Sequence, residues 1–266
     1  MKVLKKIVLL MLVGSLVLLT VNLWSFVTGR TYQVPPSEKL GERYEPALIR
    51  LNSIGKMEDF IDSIYHLQAP EGKPFDTISY LQACRITVQK RFYHGVSEYR
   101  WSNNWPAWLS GNLCWSHMKA IVDPDDILKY SHAMCSQQQI VFLELLSRKK
   151  IPFRSVGLGY DEGPGHFISE VYYNRGWHMF DVNLEPRWEE EGVARSSFDS
   201  LLRHPEAFYL IYKDKLSRGK SDKLMTRVVY GTKNELPAGH MQLFHRLCMA
   251  MMVLVPVFLW FIYKRM

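Results

Sequence analysis

The longest uninterrupted apolar stretches lie at the two ends of the chain. Residues 7–27 contain no charged residue, and residues 247–263 are apolar apart from a few small residues and Pro256. About 20 consecutive apolar residues are enough to cross the hydrocarbon core of a bilayer. Both stretches therefore predict membrane-spanning helices, and the lipid bilayer is a predicted partner.

Basic residues flank the outer ends of both stretches: Lys2, Lys5, Lys6, Lys264 and Arg265. Because lysine and arginine prefer the cytoplasmic side of a membrane, residues 1–6 and 264–266 are predicted to be cytoplasmic. The first stretch stays bulky through Trp24 and Phe26, whereas a cleaved signal peptide ends in small residues. We therefore expect a two-pass membrane protein whose folded part lies outside the cytoplasm.

The chain between the two stretches divides into a linker and one folded domain. Residues 28–47, with Pro35 and Pro36, predict an extended linker, and residues 48–240 the domain. Apolar residues recur at helical spacing over residues 48–68 and 77–93. Weaker patterns predict a short helix after Asp123, a helix at residues 198–203, a strand at residues 207–212 and a polar loop at residues 217–223.

The strongest pattern lies in the middle of this domain. Residues 136–149 have apolar positions at spacings of three and four, which predicts a helix that begins near Cys135. Three strands follow, at residues 151–158, 166–173 and 177–182, with a tight turn at residues 174–176 between the last two. The predicted fold class is α+β, with a helix packed on an antiparallel sheet between two transmembrane helices.

Composition changes this picture little. The chain has 266 residues and a formal net charge of +7, from 33 Lys and Arg against 26 Asp and Glu. Five of the basic residues flank the apolar ends, which leaves 28 against 26 for everything between them. We therefore predict no nucleic-acid partner.

The first candidate catalytic residue is Cys135. A helix N-terminus favours a thiolate, which is the nucleophilic form of cysteine. His166 and Asp181 fall on the two strands of the predicted hairpin. A three-residue turn ending at Gly176 would place these two side chains on opposite faces of the hairpin. A joint catalytic role requires both side chains on the same face, and we predict that they share it.

This order of residues resembles the transglutaminase-like family of papain-type cysteine enzymes. The matching features are Cys135 at a helix start, the strand IPFRSVGL, and the hairpin GHFISEVYYNRGWHMFD that carries His166 and Asp181. The match covers roughly residues 76–190, and it departs from the family at Ala133, where a glycine is common.

The resemblance implies a papain/transglutaminase-like core and acyl transfer without a cofactor. Cys135 would be the nucleophile, His166 the proton carrier and Asp181 the residue that orients the imidazole. The substrate would be a peptide or protein outside the cytoplasm, and the enzyme a cysteine peptidase, an amidase or a transglutaminase. Water or an amine would accept the acyl group.

Other residues support further expectations and two alternatives. Trp105, Asn112 and Trp115 are candidates for substrate binding, although buried tryptophans in a core are an equal explanation. One alternative is a catalytically inactive module that binds an envelope peptide or glycan. The other is a structural zinc site, because two Cys/His pairs have the spacing that zinc accepts: Cys114, His117, His132 and Cys135. A disulfide between Cys84 and Cys114 is left open.

Overall fold

The computed structural model describes residues 2–33, 43–68, 75–159 and 165–266, and it shows an α+β protein. Within these residues it has ten α-helices: α1 (Lys2–Val27), α2 (Ile54–Gln68), α3 (Thr77–Arg91), α4 (Trp105–Leu113), α5 (Pro124–Ile127), α6 (Cys135–Arg148), α7 (Phe198–Arg203), α8 (Pro205–Tyr212), α9 (Arg218–Thr226) and α10 (Gly239–Arg265). Short 3₁₀ helices lie at Pro46–Arg50 and Ser116–Lys119.

The described chain forms two compact units. The first contains Met1–Tyr32, Val96–Asp123 and Ala238–Met266, and the second contains Gln33–Gly95 and Pro124–Pro237. Part of the predicted linker, residues 34–42, lies outside the described residues. Residues 96–123, which the sequence placed inside the domain, belong to the first unit.

The first unit is built on a pair of long apolar helices, α1 and α10, which pack against each other. Both are long and apolar enough to cross a membrane, which agrees by length and composition with the predicted spans. The Lys5 ammonium lies 4.9 Å from the centre of the Tyr263 ring. The start of α1 is therefore beside the end of α10, and the basic residues of both helices meet at one end of the pair.

The second unit is organised around a four-stranded antiparallel sheet. Its strands are β1 (Phe153–Leu158), β2 (His166–Tyr173), β3 (Gly176–Phe180) and β4 (Val228–Tyr230), in the order β3-β2-β1-β4. Helix α6 packs against β1 and β2. Strand residues such as Val156 and Ile168 form an apolar cluster with Phe198 of α7 and Phe208 of α8. The sheet is thus covered by helices that hold its strands in place.

A two-residue turn sets the register of the β2–β3 hairpin. Asn174 and Arg175 have φ values of 47° and 64°, and Tyr173 pairs with Gly176. Two left-handed residues give the turn whose twist matches a hairpin. The expected three-residue turn ending at Gly176 is therefore wrong. The even loop length places positions 166 and 181 on the same face, as we predicted.

Two local predictions are wrong near the end of the second unit. Residues 207–212 were expected to form a strand, but they belong to α8, where Pro205 lies in the first turn and Phe208, Ile211 and Tyr212 are buried. These three positions share one helical face. A short apolar run such as residues 207–212 also fits a buried strand, so the sequence did not separate the two. Residues 217–223 were expected to be a polar loop, but Ser217 caps α9 by accepting the Lys220 N–H.

Glu170 of β2 connects the sheet to α7. Its side chain is fully buried, and it pairs with Arg154 of β1, whose Nε lies 2.6 Å from Glu170 Oε2. The other carboxylate oxygen accepts the Phe198 N–H at 2.7 Å. A buried carboxylate is stable only when such partners satisfy it.

We expect Glu170→Ala to lower the free energy of unfolding by about 3 kcal/mol, because it leaves the Phe198 N–H without its acceptor and leaves the Arg154 guanidinium with only the more distant Asp199 carboxylate. The matched control is Glu206→Ala, which removes an exposed carboxylate from its pair with Arg218. This control should leave the unfolding temperature almost unchanged. Chemical or thermal unfolding of the solubilised protein measures both variants. Equal effects of the two substitutions would contradict the role assigned to Glu170.

Candidate active site

Cys135 is the first residue of α6, as the sequence predicted. The preceding residue, Met134, has extended backbone and occupies the N-cap position. Its N–H donates to Gln137 Oε1 at 3.2 Å, which fixes the first turn. The thiol is 7 % exposed and lines a cleft. A nearly buried thiol at a helix start, with one side open to a cleft, has the position that a nucleophile needs.

His166 and Asp181 are in direct contact. His166 is the first residue of β2, Asp181 follows the last residue of β3, and His166 Nε2 lies 2.6 Å from Asp181 Oδ2. The Asp181 side chain is fully buried and the His166 side chain is 9 % exposed. A hydrogen bond of this length between buried charged groups fixes both the ring orientation and the nitrogen that carries the proton.

The thiol of Cys135 lies beside His166 in the same cleft and contributes to the raised pKa of the imidazole. Because Asp181 occupies Nε2, Nδ1 is the ring nitrogen left for the thiol. The structure therefore brings together all three residues of the predicted triad, in the order thiol, imidazole, carboxylate.

Asp181 is held by more than His166. Its Oδ2 atom also accepts the Tyr212 hydroxyl at 2.8 Å. Its Oδ1 atom accepts the N–H groups of Asn183 at 3.1 Å and Leu184 at 2.8 Å. Sequence reasoning missed Tyr212, because the pattern around it predicted a strand rather than the helix that aims this hydroxyl at the carboxylate.

These contacts shift the pKa values of the buried groups. Burial, the largest effect, lowers the pKa of His166, but the charge of Asp181 and the hydrogen bonds to Asp181 and Cys135 together raise it to about 10. Burial would raise the pKa of Asp181, yet His166, the Leu184 N–H and the Tyr212 hydroxyl lower it. Burial and the nearby Asp181 charge raise the pKa of Tyr212 well above its usual value.

The direction of each shift determines its pH dependence. The raised pKa of His166 stabilises the fold fully below the unfolded value of about 6.5, and this contribution is lost as pH rises through about 10. The lowered pKa of Asp181 stabilises the fold above about 3.8, and this contribution is lost as pH falls. The folded state is therefore stabilised by the charged His166–Asp181 pair from weakly acidic to weakly alkaline pH.

A buried carboxylate, Glu185, supports the turn that carries Asp181. Its Oε2 atom accepts the Asp181 N–H at 3.3 Å, and its other oxygen pairs with Arg195 and, at 3.7 Å, with Arg85. Burial raises the pKa of Glu185 more than the two arginines lower it. The backbone before the turn is fixed as well, because Gln139 of α6 donates to the Phe180 carbonyl at 3.2 Å. Helix α6 therefore holds both Cys135 and the end of β3.

The cleft beside Cys135 has a volume of about 790 Å³ and is formed by the second unit. The cleft is lined by residues of α3 and α6, by the start of β2 and by the segments that follow β3 and precede α9. Among these residues are Gln89, Phe92, His94, Met134, Cys135, Gln138, His166, Asn183, Leu184 and Lys215. This volume is that of a site for a small molecule or a few residues of a peptide.

Two glutamines line the cleft, and their side-chain amides form different hydrogen bonds. Gln138 donates its amide N–H to the Ala133 carbonyl at 2.8 Å. Gln89 uses its carbonyl oxygen to accept from Arg85 at 3.4 Å, and its amide nitrogen has no partner among the described residues. Gln89 therefore has an N–H group to offer a ligand. Sequence reasoning missed it, because an isolated glutamine in a helix carries no pattern.

The three residues that the sequence predicted to bind substrate, Trp105, Asn112 and Trp115, belong to the first unit. The backbone N–H of Trp105 donates to the side-chain oxygen of Asn22. The Asn112 side-chain amide donates to the Trp108 carbonyl at 2.7 Å, and the Trp115 ring contacts the His117 ring. The prediction that Trp105, Asn112 and Trp115 contact a substrate stays a prediction.

The four residues of the alternative zinc site are divided between the two units. Cys114 and His117 lie in the first unit, and His132 and Cys135 lie in the second. Within the described part of the chain, no group of three or more His, Cys, Asp or Glu residues is placed to hold a metal ion. Cys84 and Cys114 are free thiols, so the disulfide that the sequence left open is not formed in this structure.

Comparison of the chain with protein-family models, with curated proteins and with solved structures found no match.

Proposed function

We propose that this protein is a membrane-anchored thiol enzyme that transfers the acyl group of an amide or peptide bond. The observation that carries the proposal is the buried hydrogen bond between His166 and Asp181 beside the Cys135 thiol, on the wall of an open cleft. A structural histidine needs neither a thiol partner nor a cleft. The same three residues support a transglutaminase-like core for the second unit.

The first half-reaction uses Cys135 and His166. The thiolate attacks the carbonyl carbon, a C–S bond forms, and the C–N bond then breaks. The imidazolium of His166 gives its proton to the departing amine, which leaves a thioester on Cys135. The raised pKa of His166 keeps this proton on the ring at neutral pH, while Asp181 holds the ring in place.

The second half-reaction returns the site to its starting state. Water or an amine attacks the thioester, and His166 takes a proton from the attacking group. The C–S bond breaks, which releases an acid or a new amide and restores the thiolate and imidazolium. Hydrolysis and cross-linking use the same groups and differ only in the acceptor.

The negative charge on the carbonyl oxygen needs hydrogen-bond donors. The N–H of Cys135 at the start of α6 is one donor. We assign the second to the side-chain amide of Gln89. This assignment rests on the position of Gln89 in the cleft and on its unused amide nitrogen.

We place the second unit outside the cytoplasm. Support for this placement comes from the two long apolar helices and from the basic residues that meet at one end of the pair. The substrate would then be a peptide or protein of the cell envelope or the exterior.

The reactivity of Cys135 across pH tests the proposal without a known substrate. We expect iodoacetamide to alkylate Cys135 of the solubilised protein rapidly at pH 6, because the positive charge of the neighbouring imidazolium stabilises the negative charge that the attacking sulfur carries. His166→Ala should move the labelling profile to that of an ordinary thiol, which reacts above about pH 8. Asp181→Asn should have a smaller effect, since the imidazole stays but loses its orientation.

The internal control for this measurement is a thiol introduced by Arg218→Cys, at an exposed position of the second unit in the same chain. Peptide mapping resolves the two cysteines. Labelling of Cys135 only above about pH 8, unaffected by His166→Ala, would contradict the enzyme proposal and favour an inactive binding module.

Tyr212→Phe tests the support of Asp181. The loss of the hydroxyl removes one hydrogen bond that lowers the pKa of the buried carboxylate, so the pKa of Asp181 should rise. The acidic limit of rapid Cys135 labelling should move to higher pH, and the free energy of unfolding should fall by about 2 kcal/mol.

The matched control is Tyr209→Phe on the same helix, whose hydroxyl bonds the exposed Asp222. This variant should keep the labelling profile of the unmodified protein. A Tyr212→Phe variant that is less stable but has an unshifted labelling profile would restrict Tyr212 to a purely structural role.

A further inference from the structure

An exposed apolar surface lies in the first unit, on residues 96–123. We refer to these residues as the aromatic segment. Six of its large apolar side chains are exposed: Val96 by 46 %, Trp101 by 51 %, Trp108 by 37 %, Leu109 by 39 %, Leu113 by 74 % and Trp115 by 54 %. Large apolar groups clustered in this way indicate an interaction surface.

A buried asparagine ties the start of this segment to α1. Asn22 lies within the apolar stretch of α1 and is 2 % exposed. Its amide nitrogen donates to the Trp101 carbonyl at 3.0 Å, and its oxygen accepts the Trp105 N–H at 3.3 Å. An asparagine in an apolar helix needs such partners, because an unsatisfied amide is costly in lipid.

Two side chains of α10 tie the end of the segment in the same way. His245 Nε2 donates to the Met118 carbonyl at 2.9 Å, and Gln242 donates to the Val122 carbonyl at 3.2 Å. Both residues precede the apolar stretch of α10, which begins at residue 247. The aromatic segment is therefore fixed at the end of the helix pair that is opposite to Lys5 and Tyr263.

These attachments define how deep the segment would lie in a bilayer. Asn22 precedes the end of α1 at Val27 by five residues, which is about 7–8 Å along a helix. His245 lies just outside the apolar stretch of α10. The segment thus spans the depth from the end of the apolar stretches to about 7 Å inside them. Interfacial helices bury their apolar face to about 5–10 Å.

The shape of α4 fits the same location. Its small residues Pro106, Ala107 and Gly111 are buried, so its backbone packs closely within the unit. Trp108, Leu109 and Leu113 point outward. Tryptophan is enriched where membrane lipids meet water, because the indole combines an apolar ring with one N–H donor.

We propose that the aromatic segment lies in the lipid–water interface, on the side of the membrane opposite to the lysine-rich helix ends. Its ligand is the boundary between lipid headgroups and acyl chains in the bilayer that α1 and α10 cross. The proposal rests on the two helices spanning that bilayer. It is independent of the chemistry at Cys135.

Nitroxide labels on the full-length protein in lipid nanodiscs test this location. Cys114 is exposed within the segment and accepts a label without a new mutation there, once the other three cysteines are replaced by alanine. A second label at Leu113→Cys, with Cys114→Ser, checks a neighbouring position. Relaxation by oxygen, which concentrates in lipid, is compared with relaxation by a water-soluble nickel complex.

Two reference positions calibrate the measurement. Leu254→Cys lies in the apolar part of α10, and Arg218→Cys lies on the surface of the second unit. The Leu254→Cys label should collide mainly with oxygen and the Arg218→Cys label mainly with nickel. If Leu254→Cys also collides mainly with nickel, the helix does not span the bilayer and the proposal fails at its premise.

With the references as expected, labels at Leu113→Cys and Cys114 should collide more with oxygen than with nickel. Preference for nickel would place the segment in water and overturn the proposal. Low collision rates with both reagents would place it against protein, which would overturn the proposal in favour of a protein partner.

Discussion

The candidate site depends on one buried hydrogen bond, between His166 Nε2 and Asp181 Oδ2. A carboxylate that is fully removed from water is costly unless its oxygens are satisfied. Four donors satisfy those of Asp181, and they come from three places: the imidazole on β2, the Tyr212 hydroxyl on α8 and two N–H groups of its own turn. The core of the second unit must therefore form before the imidazole has a fixed orientation toward Cys135.

The two units have different roles in the proposed function. Helix α6 and the hairpin supply the thiol, the imidazole and the carboxylate, and the cleft beside them belongs to the same unit. The first unit joins residues 96–123 to the terminal helices through side chains such as Asn22 and His245. Asn22, Gln242 and His245 thus have a structural reason here, because each one satisfies a backbone carbonyl of the aromatic segment.

The local periodicity of the chain was enough to predict α6, the three strands of the hairpin region and the two apolar helices. The shared face of His166 and Asp181 was also predicted, but from the chemistry, since the turn at Asn174 and Arg175 was misjudged. Helix α8 could not be told from a strand, because the short apolar run of residues 207–212 fits a buried strand as well as a helix. Tyr212 and Gln89 were missed for a related reason: their roles depend on contacts between residues far apart in the chain.

The formation of a thioester on Cys135 is the central claim, and mass spectrometry tests it most directly. The solubilised protein is mixed with p-nitrophenyl acetate, and its intact mass and peptide map are followed with time. We predict one acetyl group that appears first on Cys135, is lost to water as the ester is consumed, and fails to turn over in His166→Ala. Slow acetylation of Cys114 and Cys135 at similar rates, unchanged in His166→Ala, would contradict the claim.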